Sequence, residues 1–416
     1  MPTQLYFVLD MGYRLQTFEK DYNSNSRPGK KHLILTGKNG SGKTSLLQAL
    51  SKHLNFLTRG DKYVIEKSIS ENEHNKECLE NEKASQEAIS EVEKTICAQK
   101  KMLFDAKAGV SLEFNILPYE FQKLFSEGDF ILAYYEATRK FDAIIPKHVE
   151  KVALKDNYGI SEFPRNEFVK YILDLKMTEA LAMASGKIER AEQIGKWFEN
   201  FEKLLKQIFD DDSVRLMFDE ETFAFTIQQD GREPFDFKQL SEGYAAILDI
   251  VVDIVVRMEK HLNGRLTFDL PGIVLIDEIE THLHLELQKN VLSFLTSVFP
   301  NIQFIVSTHS PFILSSASNA VIYDLENNTL VENGLTGLPY DGIVKGYFEV
   351  DDLSKVLRSK YDRYKELTSK RELSDDELEE IAGLELYLDE IPDYLALGIT
   401  TEYKRLKAEF DKREDL

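Results

Sequence analysis

The chain has 416 residues, 43% of them hydrophobic, and a formal net charge of −21. That length supports two or three domains around a sizeable core, and sparse proline and glycine imply that most of it folds. The charge argues against a surface that coats nucleic acid, since phosphate binding needs clustered Lys and Arg, although a nucleic-acid contact in a local basic groove stays open. Cys78 and Cys97 lie in no ligand pattern, which argues against a disulfide framework or structural zinc. The N-terminus, MPTQLYFVLDMGYRLQ, has no basic or long apolar leader segment. The longest apolar run, residues 244–258, contains Asp249 and Asp253 and falls short of a membrane span, so it reads as a buried core helix. The expectation is a cytoplasmic protein with no membrane partner.

Taken in order, the pattern predicts a strand at 5–9 and a second at 32–36. The second runs through a Gly-rich loop into a helix with Leu46, Leu47, Leu50 and Leu54 at helical spacing. Residues 60–107 are dominated by charged and amide side chains, with Ile89, Val92, Ile96 and Leu103 as a thin apolar seam. This predicts a solvated helical or short coiled-coil insertion. A strand at 130–135 ends in Ala137-Thr138-Arg139. Helices follow over 166–209, with Phe168, Ile172, Leu175, Trp197, Phe201, Leu204 and Leu205 facing inward. Residues 214–229 alternate like a β-hairpin. A helix from Ser241, a strand at 273–276, a helix to about 298 and a strand at 302–307 complete the pattern. Beyond about 342 the chain is helical and highly charged, and no repeat at solenoid period is present. The fold class this predicts is α/β, a P-loop NTPase with a mixed or parallel sheet core.

The strongest motif is Gly37-Lys38-Asn39-Gly40-Ser41-Gly42-Lys43-Thr44, followed by Ser45. Its glycines let backbone N–H groups wrap phosphate oxygens that a Cβ would obstruct. Lys43 adds an ammonium for the same oxygens, Thr44 a hydroxyl for Mg²⁺, and the following helix its positive end. These residues predict ATP and Mg²⁺ as ligands. The second motif is a buried aliphatic strand ending in Asp277-Glu278. Asp277 would hold the Mg²⁺ shell and Glu278 would polarise the attacking water. The third is Leu240-Ser241-Glu242-Gly243-Tyr244. Here Ser241 can N-cap a helix and Gly243 would leave backbone accessible to an anion. The fourth is Thr308-His309-Ser310-Pro311, whose imidazole could bond a γ-phosphate. Each of the last two has an ordinary structural reading when taken alone.

In that order the four motifs resemble the ATP-binding-cassette class shared by transporter, SMC, Rad50 and OLD-like ATPases, over roughly residues 1–60 and 110–325. The resemblance implies a slow ATPase, with Ser241, Glu242 and Gly243 as signature motif, His309 as switch histidine and Glu280-Thr281-His282-Leu283-His284 as D-loop. It also implies a head-to-tail dimer in which Ser241 of one copy meets nucleotide held by Lys43 of the other. His282 and His284 have no third ligand that would make them a metal pair. The implied layout is an ABC-type ATPase domain over 1–340, containing the 60–107 insertion and a helical signature lobe at 140–265. A C-terminal helical module over 341–416 would follow.

Two features depart from the pattern. Glu242 and Tyr244 stand where transporters commonly carry Gly and Gln, and Thr138 and Arg139 occupy the place of a Q-loop glutamine. Arg139 is a candidate for phosphate or signalling contacts. Tyr13 and Phe18 are candidates to stack on adenine, or core aromatics. No apolar domain suggests a transporter, the insertion is too short for SMC or Rad50 arms, and no acidic Toprim cluster follows His309. The chain is most similar to the PtuA-type ATPases of Septu and retron anti-phage defence systems. That similarity implies a homo-oligomer controlling a separate effector nuclease of the HNH kind. The alternatives are a DNA repair or recombination ATPase that binds DNA directly, and a nucleotide-binding module without turnover.

Overall fold

Short aliphatic runs bounded by polar loops build the central layer of the molecule. The computed structural model describes residues 9–10, 14–15, 32–107, 109–112, 116–139, 148–262, 268–331, 335, 355–370, 373–389 and 397–410. By contact density the chain divides into two units, Met1–Gly337 and Leu338–Leu416.

In the first unit, β1 (Leu9–Asp10), β2 (Arg14–Leu15) and β4 (Ser111–Leu112) pair antiparallel in the order β2-β1-β4. The main sheet uses β3 (His32–Thr36), β5 (Ile131–Tyr135), β9 (Gly272–Ile276), β10 (Ile302–Ser307), β11 (Ala320–Asp324) and β12 (Thr329–Val331). Its order is β12-β11-β3-β10-β9-β5. Every pairing is parallel except the one between β11 and the edge strand β12. All residues of the five parallel strands are buried, as expected for a sheet covered on both faces.

Helix α1 (Lys43–Thr58) follows β3 and sets Leu46, Leu47, Leu50, Leu54 and Leu57 into one cluster with Leu33, Leu35, Leu132, Ile273 and Leu275 of the sheet. Helices α2 (Asp61–Asn81) and α3 (Gln86–Lys107) form an antiparallel pair laced by Lys76–Glu93 and Lys100–Glu73 ion pairs. Ile69 and Ile96 are buried in this hairpin, while Cys78 and Cys97 are exposed free thiols. Helix α4 (Pro118–Glu127) starts with proline in its first turn and ends at Gly128, whose φ is +80°.

The helical lobe comprises a 3-10 turn (Pro164–Glu167), α5 (Phe168–Ala184) and α6 (Ile188–Phe209), with Trp197 stacked on Phe201 at 5.4 Å. A small antiparallel sheet of β6 (Arg215–Phe218), β7 (Phe225–Gln228) and β8 (Phe235–Asp236) lies between α6 and α7 (Glu242–Leu262) in sequence. Helix α7 is apolar around most of its circumference and is a core helix. Helices α8 (Leu285–Val298) and α9 (Pro311–Leu314) follow β9 and β10. No helix among the described residues is long and apolar enough to cross a membrane.

The second unit contains α10 (Lys355–Thr368), α11 (Asp375–Asp389) and α12 (Leu397–Phe410) around a core of Tyr361, Tyr364, Leu367, Ile381, Leu384, Leu388 and Tyr403. Arg363 grips Glu380 through two 2.9 Å hydrogen bonds, and the Tyr403 hydroxyl donates to Asp389 at 2.8 Å.

Candidate nucleotide-binding and hydrolytic site

Because β3, β10 and β9 are adjacent and parallel, the segments leaving their carboxyl ends emerge side by side. Those segments are the Gly37–Ser45 loop, Thr308-His309 and Asp277-Glu278. The loop after β3 turns through Gly37, Gly40 and Gly42 at φ +128°, +84° and +98°, a region that disfavours any Cβ. At Gly40 and Gly42 an added Cβ would meet no atom within 4 Å, so both positions border open space. Lys43 begins α1 and is buried. Its Nζ donates to the carbonyl oxygens of Gly37 at 2.8 Å and Lys38 at 3.0 Å. Burial lowers the Lys43 pKa, while Glu278, Glu280, Asp277 and Asp324 pull it back up. Asn39, Gly40, Thr44 and Ser45 are exposed, and Ser41 lies within 3.5 Å of the Lys43 ammonium.

The turn after β9 is held from beneath. Ser307 Oγ donates to Asp277 Oδ1 at 2.5 Å and accepts the Glu278 N–H at 2.7 Å. Glu278 has φ +45°, a left-handed conformation that is costly for a residue with a Cβ. Its carboxylate accepts from Thr281 Oγ1 at 3.3 Å. Asp277 is 3% exposed. The His309 N–H donates to Glu280 Oε1 at 2.5 Å. Burial first, then the nearby Lys43 charge, lower the imidazole's pKa below its usual value, so the ring is neutral at pH 7. The open loop, the sequestered Asp277 and the exposed Thr44 suit a triphosphate with a hard divalent cation.

Comparison with known proteins then places the chain. Residues 169–315, from α5 through Ser310 to α9, match the family described as "AAA domain, putative AbiEii toxin, Type IV TA system". The chain is 30% identical over 214 residues to the Septu protein PtuA of Bacillus mycoides, covering 49% of this chain and 29% of that one. It is 36% identical over 129 residues to the "Retron Ec83 probable ATPase" of Escherichia coli, covering 29% of this chain and 24% of that one. It is also 27% identical over 375 residues to the "Retron Vc95 probable ATPase" of Vibrio cholerae, covering 70% and 68% respectively. The chain thus spans about a quarter to a third of the first two relatives. Over these stretches the chain is similar in sequence to PtuA and to the retron ATPases.

The segment expected to be the signature motif departs from the sequence reading. Ser241 and Glu242 are exposed at the start of α7, and the Ser241 carbonyl accepts from the Ala245 N–H. Gly243 is buried rather than accessible. A Cβ there would lie 3.0 Å from the His282 carbonyl oxygen and 3.3 Å from Leu287. His282 Nδ1 also meets Glu242 Oε2 at 3.1 Å. The Ser241–Gly243 segment and the Glu280–His284 segment are therefore in contact, and His282 is engaged with Glu242. Among the described residues no group of three or more His, Cys, Asp or Glu could hold a metal ion unaided.

Arg139 differs as well. It is 4% exposed and donates to the carbonyls of Asp277 at 2.7 Å, Glu278 at 2.9 Å and Ile279 at 3.3 Å, beneath the turn instead of toward a phosphate. Two supporting residues, Ser307 and Asp324, escaped the motif reading, and Glu280 entered it only as part of the implied D-loop. Ser307 was hidden in a strand end, where polar residues are commonplace. Asp324 ends β11 and caps the Glu326 and Asn327 N–H groups against Gly37. Lys38 pairs with Glu326 at 2.6 Å across the same gap. The only available signal was a polar residue at the carboxyl end of a buried strand. Tyr13 and Phe18 lie outside the described residues.

Proposed function

We propose that the chain binds and hydrolyses ATP with Mg²⁺ in head-to-tail dimers, or assemblies of them, and thereby controls a separate effector nuclease of a bacterial anti-phage defence complex. The observation that carries the hydrolytic part is the delivery of Lys43, Asp277, Glu278 and His309 to one place by three adjacent parallel strands. Lys43 exchanges its carbonyl partners for phosphate oxygens. Thr44 and Asp277 would hold a Mg²⁺ ion, which when bound would supply charge compensation for the phosphoryl group. Glu278, fixed by its left-handed backbone and the Ser307 hydroxyl, receives a proton from the attacking water. A neutral His309 can donate one ring N–H to the γ-phosphate and respond to its loss.

The dimer reading draws on the exposed Ser241 and Glu242 joined to the D-loop, which leaves a single face for a second copy's nucleotide. The effector reading draws on the Septu and retron relatives. The test of hydrolysis pairs Lys43→Ala with Glu278→Gln. We expect the first to weaken binding of a fluorescent ATP analogue. The second should keep that binding and lose at least about a hundredfold in phosphate release. Unchanged turnover in Glu278→Gln would sink the catalytic assignment. Tagged purification after co-expression with the neighbouring reading frames tests the rest. Recovery of the ATPase alone, with salt-sensitive DNA binding, would replace effector control by direct action on DNA.

A further inference from the structure

The Gly-rich loop after β3 has a neighbour to which the hydrolytic reading gives no part. Asp324 of β11 stands in register with Thr36 of β3, and the ladder runs one bond further, the Leu325 N–H donating to the Thr36 carbonyl at 3.0 Å. The turn between β11 and β12 is thereby delivered beside Gly37 and Lys38. Asp324 is 3% exposed and shapes this turn. Its Oδ1 accepts the N–H groups of Glu326 at 2.8 Å and Asn327 at 3.3 Å, and its Oδ2 accepts from the Asn327 side-chain amide at 3.0 Å.

Two sets of contacts converge on Gly37 and Lys38. From the side of α1, Lys43 Nζ donates to both of their carbonyls, at 2.8 and 3.0 Å. From the side of the turn, the Glu326 carboxylate engages both donors of Lys38. Oε2 accepts the backbone N–H at 3.3 Å, and Oε1 pairs with Nζ at 2.6 Å. The packing is close as well: a Cβ at Gly37 would lie 3.2 Å from Asp324 Oδ1 and 3.2 Å from the Glu326 nitrogen. When Lys43 turns to a phosphate, the inner set of contacts is lost and the Glu326 contacts remain. A bare carboxylate near a triphosphate would oppose binding, but the Lys38 ammonium beside it cancels its charge at longer range. An ion pair with a largely exposed lysine contributes little by itself. Its effect here comes from fixing the main chain and the side chain of one residue together.

We propose that Glu326 is a positioning residue for the nucleotide loop, bracing Gly37 and Lys38 from outside so that the loop keeps its phosphate-receiving shape while Lys43 changes partners. The role rests on the reading of Gly37–Thr44 as the nucleotide site. It belongs to binding and not to the chemical step, because Asp277 and Glu278 leave a different strand, β9, and make no contact with the turn among the described hydrogen bonds.

The experiment uses the full chain carrying Glu326→Ala, Glu326→Gln, Lys38→Met or Lys38→Met with Glu326→Ala. Binding of a fluorescent ATP analogue with Mg²⁺, steady-state phosphate release and amide exchange over residues 37–42 of the nucleotide-free protein are measured for each. Glu326→Ala should raise the analogue Kd about three- to tenfold and KM with it, while kcat stays within about twofold. Glu326→Gln keeps an acceptor for the Lys38 N–H and should cost less, about twofold. Exchange in the loop should rise in Glu326→Ala. In the Lys38→Met background the cost of Glu326→Ala should shrink to within about twofold, since the brace acts through Lys38. Parental or tighter binding in Glu326→Ala, a fall in kcat at unchanged Kd, or an undiminished cost in Lys38→Met would each overturn the brace. If the parent does not bind the analogue, the nucleotide reading fails, while loop exchange still decides whether the turn holds the loop.

Discussion

Two helix N-termini in this molecule look alike on paper and are built in opposite ways. Each pairs serine with glycine, in the loop before α1 and across Ser241 and the first turn of α7, and each offers the positive end that attracts anions. At α1 Gly40 and Gly42 take φ +84° and +98° and face open space. At α7 Gly243 is jammed against the D-loop carbonyl of His282. The first is a receptacle complete within one chain. The second uses glycine for close packing of two segments and presents only Ser241 and Glu242 outward. A shared motif vocabulary thus conceals different physical demands, one conformational and one steric.

The comparison breaks most decisively at Gly42. Alanine there meets no neighbour but must hold φ +98°, costing about 1–2 kcal/mol in the loop. Gly42→Ala should weaken binding of a fluorescent ATP analogue by roughly tenfold or more. Parental affinity would mean that the loop's conformation is not tied to the ligand. At Gly243 the expectation reverses. Alanine suits a helix better than glycine by about 1 kcal/mol, yet its Cβ would push the D-loop by a few tenths of an ångström. Analogue affinity should stay within about twofold while turnover falls about three- to tenfold. A loss of affinity larger than the loss of turnover would show that the two helix ends share one role.

How far this was readable follows the same division. Conformational demands leave local marks. The aliphatic runs that became β3, β9 and β10 and the glycines after β3 were legible because each is a contiguous pattern. The hairpin at β6 and β7 announced itself by alternation and an acidic turn. Contacts between distant segments leave no such mark. Gly243 reads as open until His282, thirty-nine residues later, is folded against it. Arg139 reads as a candidate for phosphate contacts because a cation at the carboxyl end of a buried strand can face a ligand there. Only the fold shows its guanidinium turned under the Asp277–Ile279 carbonyls. Asp249 and Asp253 marked α7 as non-membranous, and their partners Tyr135, Arg165 and Arg257 are scattered over more than a hundred residues.

A smaller effect sharpens the signature side. The Glu242–His282 pair spans signature and D-loop, but Glu242 is largely exposed, and exposed pairs contribute at most about 1 kcal/mol. Glu242→Gln should therefore leave the melting temperature almost unchanged. If the joined surface meets a second copy, turnover should drop about two- to threefold. A melting shift as large as that of a core substitution would make the pair structural instead.

The smallest effect tests whether the receptacle at α1 and the strand end at β10 are one electrostatic unit. Burial, then the Lys43 charge, hold the His309 imidazole below its usual pKa, because each disfavours the imidazolium. In the parent the ring should titrate below about 6.5, followed by its NMR resonances. Removing the charge with Lys43→Met leaves burial in place and subtracts one repulsion, while Glu280, Glu278 and Asp277 continue to favour the protonated ring. The midpoint should therefore move up in Lys43→Met and stay put in Gly243→Ala, whose substitution lies on the other helix end. A midpoint that moves with Gly243 and ignores Lys43 would tie His309 to the signature helix and dissolve the division between the two.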